Sequence, residues 1–210
     1  MRGTRPWRFK LASTSSVAIA HPIVSFDTEK LILVDTQDHA IGSLSKSECH
    51  EGKGILHRAF SLFIFNDAGE LLVHKRSPHK PLWPNYWSNS CCSHPRYGED
   101  TTVAANRRLK EELQLSCKLF YLYKFQYHAV YSPTGAEHEL CWVFIGLNND
   151  PAQANANEIS EFRHIQADQL DQAMAQRPQD FTPWFKMEWA TIRQKYWSQV
   201  DSLFKQTERS

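Results

Sequence analysis

The chain has 210 residues, 24 Lys and Arg against 23 Asp and Glu, and a formal net charge of +1. No whole-molecule field therefore points to nucleic acid or to a membrane surface, and no apolar run approaches the ~20 residues a membrane span needs. With 41% apolar and 22% charged residues, this is ordinary globular sequence, long enough to bury a sizeable core.

Residues 1–26 hold Arg2, Arg5, Arg8 and Lys10, no acid, and Ser13, Ser15, Ser16 and Ser25. They are treated as an extension of unknown role. An organelle transit segment has this composition, but Val17–Ala20 and Pro22–Val24 also suit an extra strand, and that reading is preferred. Residues 27–210 are expected to form one domain. Leu31–Val34, the polar turn Asp35–Asp38 and Ala40–Gly42 read as a hairpin, and the cadence returns at Ser61–Phe65, Asn66–Gly69 and Leu71–Val73. A helix is expected from Thr101 to about Leu115, capped by Asp100. Its apolar stripe is Ala105, Leu109 and Leu113, with the pairs Arg107–Glu111 and Arg108–Glu112 on other faces. Tyr121–Tyr131 and His138–Ile145 read as strands joined at Ser132-Pro133-Thr134-Gly135. A late helix starts at Thr182 and Pro183 with the stripe Phe185, Trp189, Ile192, Tyr196, Val200 and Leu203. The order implies an α+β fold, a mixed β-sheet with helices on its faces.

The five cysteines are Cys49, Cys91, Cys92, Cys117 and Cys141. They match neither a disulfide framework nor a Cys-x-x-Cys zinc site. Free thiols fit a reducing compartment, so the expected location is the cytoplasm, with organelle targeting by residues 1–26 left open. Cys91 and Cys92 lie in Ser88-Asn89-Ser90-Cys91-Cys92-Ser93-His94-Pro95. A thiol on such a polar loop, ahead of a helix, is expected to have a lowered pKa, and one of the two is assigned to packing. Glu137 and Glu139, two apart on a strand, share a face from which His138 points away. They are either a solvated strand end or two ligands of one cation. His50, His57 and His94 add imidazole nitrogens, which with carboxylates suit Zn, Mn or Fe and less strictly Mg. His74-Lys75-Arg76 and Lys80, with Lys46 and Arg108 farther off, offer cations of the kind that hold phosphate. No P-loop or Gly-x-Gly-x-x-Gly is present.

The stretch His94–Leu115 resembles a degenerate Nudix box. Glu99, Arg107, Glu111 and Glu112 stand at its positions, whereas Ser93, Arg108 and Gln114 replace its first Gly, the Glu after Arg and its last Gly. Several further motifs accompany it: Asn-Ser-Cys-Cys-Ser-His-Pro ahead, Glu137-His138-Glu139 behind, the His50/His57 spacing, Leu56–Phe60, Trp83-Pro84 with Trp87, Pro133-Thr134-Gly135 and Thr182-Pro183-Trp184. Together they resemble the type I isopentenyl-diphosphate isomerases of the Nudix superfamily, over roughly residues 30–190. The resemblance implies a Nudix-like mixed sheet sandwiched by helices. It also implies one divalent metal (Mn, Zn or Mg) on His50, His57, His94, Glu137 and Glu139, and a second Mg²⁺ bridging Glu112 to the substrate diphosphate. Cys92 and Glu139, the latter assisted by Tyr127, would be the acid/base residues. Lys46, Arg76, Lys80 and Arg108 would contact the diphosphate, and Trp184 would cap the hydrocarbon pocket. The partner would be a small C5 diphosphate, not nucleic acid or membrane, and the chain a monomer, with a dimer as the alternative. A Nudix-type diphosphohydrolase is the competing enzyme and a non-catalytic metal- or diphosphate-binding module the competing class. Arg108 in place of a helix carboxylate argues against the hydrolase.

Overall fold

The computed structural model describes residues 21–207. The calls on Arg2 to Ser16 and on a strand at Val17–Ala20 lie outside them; Pro22–Val24, the rest of that strand reading, lie inside and form no strand. Within them are nine strands: β1 (Lys30–Val34), β2 (Ala40–Ser45), β3 (His57–Phe65), β4 (Glu70–Arg76), β5 (Trp87–Ser88), β6 (Cys91–Ser93), β7 (Leu119–Ser132), β8 (Gly135–Leu147) and β9 (Ile159–Gln166). The helices are α1 (Lys46–His50), α2 (Thr101–Leu113), α3 (Ala167–Gln176), α4 (Pro183–Thr191) and α5 (Trp197–Thr207), with a π-helical turn at Ile192–Tyr196 joining the last two. Among the described residues no helix is long and apolar enough to cross a membrane.

Strand β3 organises the sheet. It runs parallel to β8, with His57 opposite Glu139 and Phe65 opposite Leu147. It meets β1 at Leu33, β4 at Leu71 and β6 over Phe60–Leu62. Strands β7 and β8 form the Tyr–Glu hairpin, and β9 lies on β4. A strand with neighbours on both sides and helices on both faces must be apolar on both faces, and Ala59 to Phe65 are all buried, Ser61 the one polar residue among them. Alternation sorts them: Phe60, Leu62 and Ile64 pack against Ala104, Ala105, Leu109 and Leu113 of α2, while Ala59, Phe63 and Phe65 pack against Phe185, Trp189 and Ile192. The expected helix stripes are thus the two faces of the sandwich.

Asp100 caps α2 by accepting from the Thr102 and Val103 backbone N–H groups. The helix ends at Leu113, two residues earlier than expected, because Gln114 turns left-handed at φ 58°. That is the conformation a glycine would adopt without strain, which accounts for the glycine of the box pattern at this position. The i, i+4 pair Arg108–Glu112 forms off the apolar stripe as expected, and both of its residues are buried. Residues 21–26 lie against the domain. The Val24 carbonyl accepts from Arg108, and the Pro22 carbonyl accepts from Asn155 at 2.9 Å.

Candidate active site and metal centre

Odd-numbered residues of β3 and β8 face one side of the sheet. Toward one end of that face the apolar series gives way to His57, Glu137 and Glu139, and Cys92 and His94, two apart at β6, join them. His50 arrives from α1, a single turn whose start is fixed by a reciprocal cap: Ser45 accepts from the Glu48 backbone N–H while Glu48 accepts from that of Ser45. Gly54 lets the following loop press onto β8. At φ 72°, a Cβ here would stand 3.2 Å from the Ala136 carbonyl oxygen.

One ligand atom from each of His50, His57, His94, Glu137 and Glu139 lies within 4.8 Å of the others. The His50 and His57 Nδ1 atoms sit 2.7 Å from the Lys46 and Ile55 carbonyls. A carbonyl only accepts, so both Nδ1 atoms carry a hydrogen and both Nε2 atoms aim inward, the arrangement that orients metal-ligating imidazoles. His50 Nε2 is 2.9 Å from Glu137 Oε2, and His94 Nε2 is 2.8 Å from Glu139 Oε1. The fully buried His57 Nε2 has no hydrogen-bond partner, and neither does Glu137 Oε2 by angle.

The electrostatics show what this set lacks. Burial, then the neighbouring Glu137, pushes the Glu139 carboxyl well above the usual range. Burial opposes the charge of Glu137 too, but His50, then His57, outweigh it and hold that carboxyl low. Burial takes His57 down to about 3 and His94 well below its ordinary value. Burial opposes the charge of His50 too, but the Glu137 carboxylate beside it outweighs that and raises the imidazole, while His57 and His94 are held neutral. Two neutral imidazoles and a frustrated carboxylate pair, with orphaned buried donor atoms, are what a divalent cation would satisfy. The donor set fits one.

Beside this cluster opens a cleft of about 330 Å³ lined by Lys46, Arg76, Lys80, Cys92, Arg108, Tyr127, Glu137, Glu139 and Trp184, among others. The Tyr127 hydroxyl donates to Glu139 Oε2 at 2.7 Å, and burial keeps the phenol protonated. Every expected substrate contact therefore lines one cleft. Glu112 does not join the five-ligand cluster. Its Oε1 accepts from Arg108 Nε at 3.0 Å and Nη2 at 2.6 Å.

Cys92 needs a correction. It lies on strand β6, paired with Ser61, not on a polar loop. Burial pushes its thiol up to about 12, against the pull of Arg76, whose Nη1 is 3.9 Å from the sulfur. No helix N-terminus offsets that desolvation. Cys91 is the packed thiol, fully buried on the α2 face.

The NUDIX domain model matches residues 55–185. The chain is 40% identical over 174 residues to "Isopentenyl-diphosphate Delta-isomerase 1" of Photorhabdus laumondii, covering 82% of this chain and 99% of that one. The chain belongs to the isopentenyl-diphosphate Delta-isomerase family. The relative so named in Pectobacterium atrosepticum is 39% identical over 82% of this chain and 96% of its own length, and the one in Schizosaccharomyces pombe 33% identical over 84% and 87%. Solved structures give the fold: the Deinococcus radiodurans protein DR0079 has a TM-score of 0.58 at 22% identity, covering 70% of this chain and 90% of that one. A MutT protein from Methanosarcina mazei has 0.52 at 12%, covering 74% and 96%.

Within this isomerase family chain, two acids escaped the reading of the sequence. Glu158, just ahead of β9, is buried, forms an ion pair with Lys80 and lies 3.3 Å from Arg108. Burial opposes its ionisation, but Lys80 and then Arg108 hold it down to about 2. Nothing local marks it. Glu188 is fully buried on α4. It had a signal: an acid one turn after Trp184, within a helix otherwise apolar on that face. The turn carrying Lys46 and His50 was also missed, although Ser45-Lys46-Ser47-Glu48 is a capping-box pattern.

Proposed function

We propose that the protein interconverts isopentenyl diphosphate and dimethylallyl diphosphate by adding a proton at one carbon and removing another two carbons away. The observation that carries this is the convergence in one cleft of a thiol, a carboxyl–phenol pair, four cations and an indole. Lys46, Arg76, Lys80 and Arg108 would hold the diphosphate, which anchors the substrate and takes no part in the chemistry. Glu112, one oxygen engaged by Arg108, would help hold a second Mg²⁺ with that diphosphate.

His50, His57, His94, Glu137 and Glu139 would hold a divalent ion, Mn, Zn or Mg. Its charge would allow both carboxylates to share the site and make Glu139 a stronger acid. Toward dimethylallyl diphosphate, Glu139 with the Tyr127 hydroxyl delivers a proton to the terminal alkene carbon, leaving a tertiary carbocation. The Cys92 sulfur then takes the C2 proton as the new double bond forms. The reverse direction exchanges the roles. Arg76 favours the thiolate that this acceptor step needs. The Trp184 ring, which lines the cleft, would stabilise the cation by up to ~2 kcal/mol.

Hydrolysis would require helix carboxylates free to hold a metal. Here Glu99 and Glu111 both bind Arg107, and Arg108 engages one oxygen of Glu112, so a single carboxylate oxygen of Glu112 is left for a metal, too few for a hydrolytic site. The test is isopentenyl diphosphate incubated with metal-loaded protein in deuterated water. Deuterium in dimethylallyl diphosphate without phosphate release is expected; phosphate release without interconversion would overturn the proposal.

A further inference from the structure

Beneath the cleft lies a carboxyl group that the mechanism above does not use. Glu188 sits one helical turn after Trp184, so both project from the same face of α4. Its side chain is fully buried. Oε1 lies 3.5 Å from the Cys141 sulfur, which in turn lies 3.5 Å from the Ser61 hydroxyl, and Oε2 has no hydrogen-bond partner. Those two contacts are informative. Cys141 follows Glu139 by two residues on β8, on the same face, and Ser61 is the β3 residue opposite Cys92. Glu188 thus lies one layer under both acid/base residues, tied through Cys141 to β8, which carries Glu139, and through Cys141 and Ser61 to β3, which pairs with the strand of Cys92.

We propose that Glu188 is a positioning residue of the isomerisation site that works as an uncharged acid, holding Ser61 and Cys141 beneath Cys92 and Glu139 and keeping a further negative charge out of the cleft floor. This role rests on the isomerase function. Among the described residues no cation faces the group. The titratable side chains around it are Cys141 and Glu139 of β8, Cys92 of β6 and Tyr123 of β7, all of which a charge on Glu188 would make harder to ionise; β3 contributes only the Ser61 hydroxyl. Burial accordingly pushes the carboxyl up to about 8. The acid is neutral below that pH and charged above it, so its ionisation opposes the Cys92 thiolate as the pH rises.

The test compares wild type, Glu188→Gln and Glu188→Leu, each metal-loaded, by two readouts. In infrared difference spectra of wild type against Glu188→Gln, a carboxylic-acid C=O band is expected at pH 7 and lost by pH 10. In turnover at saturating isopentenyl diphosphate, wild-type kcat falls about tenfold one pH unit above the midpoint. Glu188→Gln, which keeps an uncharged hydrogen-bonding group, retains kcat within about threefold at pH 7 and lacks that descent. Glu188→Leu also lacks the descent but has a lower kcat at every pH, since Cys141, and through it Ser61, loses its partner. A carboxylate band at pH 7 overturns the charge assignment, and a Glu188→Gln profile with the wild-type descent overturns the role. If the leucine variant fails to fold, the glutamine variant decides. Wild-type protein without isomerase activity overturns the function and this role together, and the infrared band distinguishes that from a wrong charge state.

Discussion

Tyr127→Phe is the most incisive perturbation of the proton path. The phenol sits 2.7 Å from Glu139 Oε2, both residues are buried, and removing one oxygen leaves the ring packed against Phe125 and Trp184, at centroid distances of 5.5 and 6.2 Å. A hydrogen bond to a charged group contributes about 1.5–3 kcal/mol. At 1.36 kcal/mol per decade, loss of a bond needed throughout proton transfer lowers kcat by about 10- to 150-fold. KM changes by less than about threefold, because the diphosphate contacts are elsewhere. The assay is conversion of labelled isopentenyl diphosphate to the acid-labile isomer, with bound metal measured in parallel. A variant with full metal content and kcat within about twofold of wild type would remove the phenol from the proton path. Loss of metal along with activity would instead assign it to ligand geometry.

Cys92→Ala is expected to abolish isomerisation while leaving metal content and thermal midpoint intact; substantial residual turnover would refute its acid/base role. Cys91→Ala should leave kcat within about threefold and cost about 1 kcal/mol of stability, since only a core thiol is deleted; damage to catalysis equal to that of Cys92→Ala would mean the wrong thiol was chosen. Chelation should abolish turnover and lower the thermal midpoint, because an ion bound only by the folded state stabilises it; an unchanged melt and activity would dismiss the metal centre. Burial, then the nearby Lys80, brings Lys46 down to about 8, so it is cationic below that pH and neutral above. KM should therefore rise as the pH passes about 8, and Lys46→Arg should remove the rise because a guanidinium stays charged; an identical pH dependence of KM in both proteins would exclude Lys46.

The parts legible in the sequence are those with strong periodicity or a rare local motif. The buried run of β3, the α2 stripe and the Phe185–Leu203 stripe carry their own pattern. Strand β9 and helix α3 do not: Ile159–Gln166 has a single face interrupted by charge, and α3 buries only Ala167 and Leu170. Packing against β4, not local sequence, sets them. In the site, Glu137 and Glu139 were left between a solvated strand end and a metal pair, because burial decides that question and sequence does not report burial. The same gap explains the thiol. A polar loop and a following helix suggested activation, yet β6 pairs with β3 and places the sulfur where desolvation dominates. Glu158 was invisible for a related reason: an acid is ordinarily exposed, and only tertiary contacts reveal it, whereas Glu188 carried one signal, its place on an otherwise apolar helix face.

Arg108 connects the frame to the chemistry. Around the box helix, most carboxylate oxygens that would gather a hydrolytic metal are engaged by guanidinium groups: Arg107 holds Glu111 and, just ahead of the helix, Glu99, and buried Arg108 holds one oxygen of Glu112 while lining the cleft. Burying a guanidinium is costly, and Arg108 stays charged because Glu112 and then Glu158 outweigh that cost. Glu158 also pairs with Lys80, so one buried acid fixes two of the cations that face the substrate. The metal donors come instead from α1, β3, β6 and β8. On the proposed function, cation charge on the helix would bind a diphosphate that stays intact, and donor atoms on the sheet would hold a carboxyl group beside the alkene. The ligand set would then face carbon instead of phosphorus, and the residue that marks the change in the sequence is the arginine standing where the box calls for a glutamate.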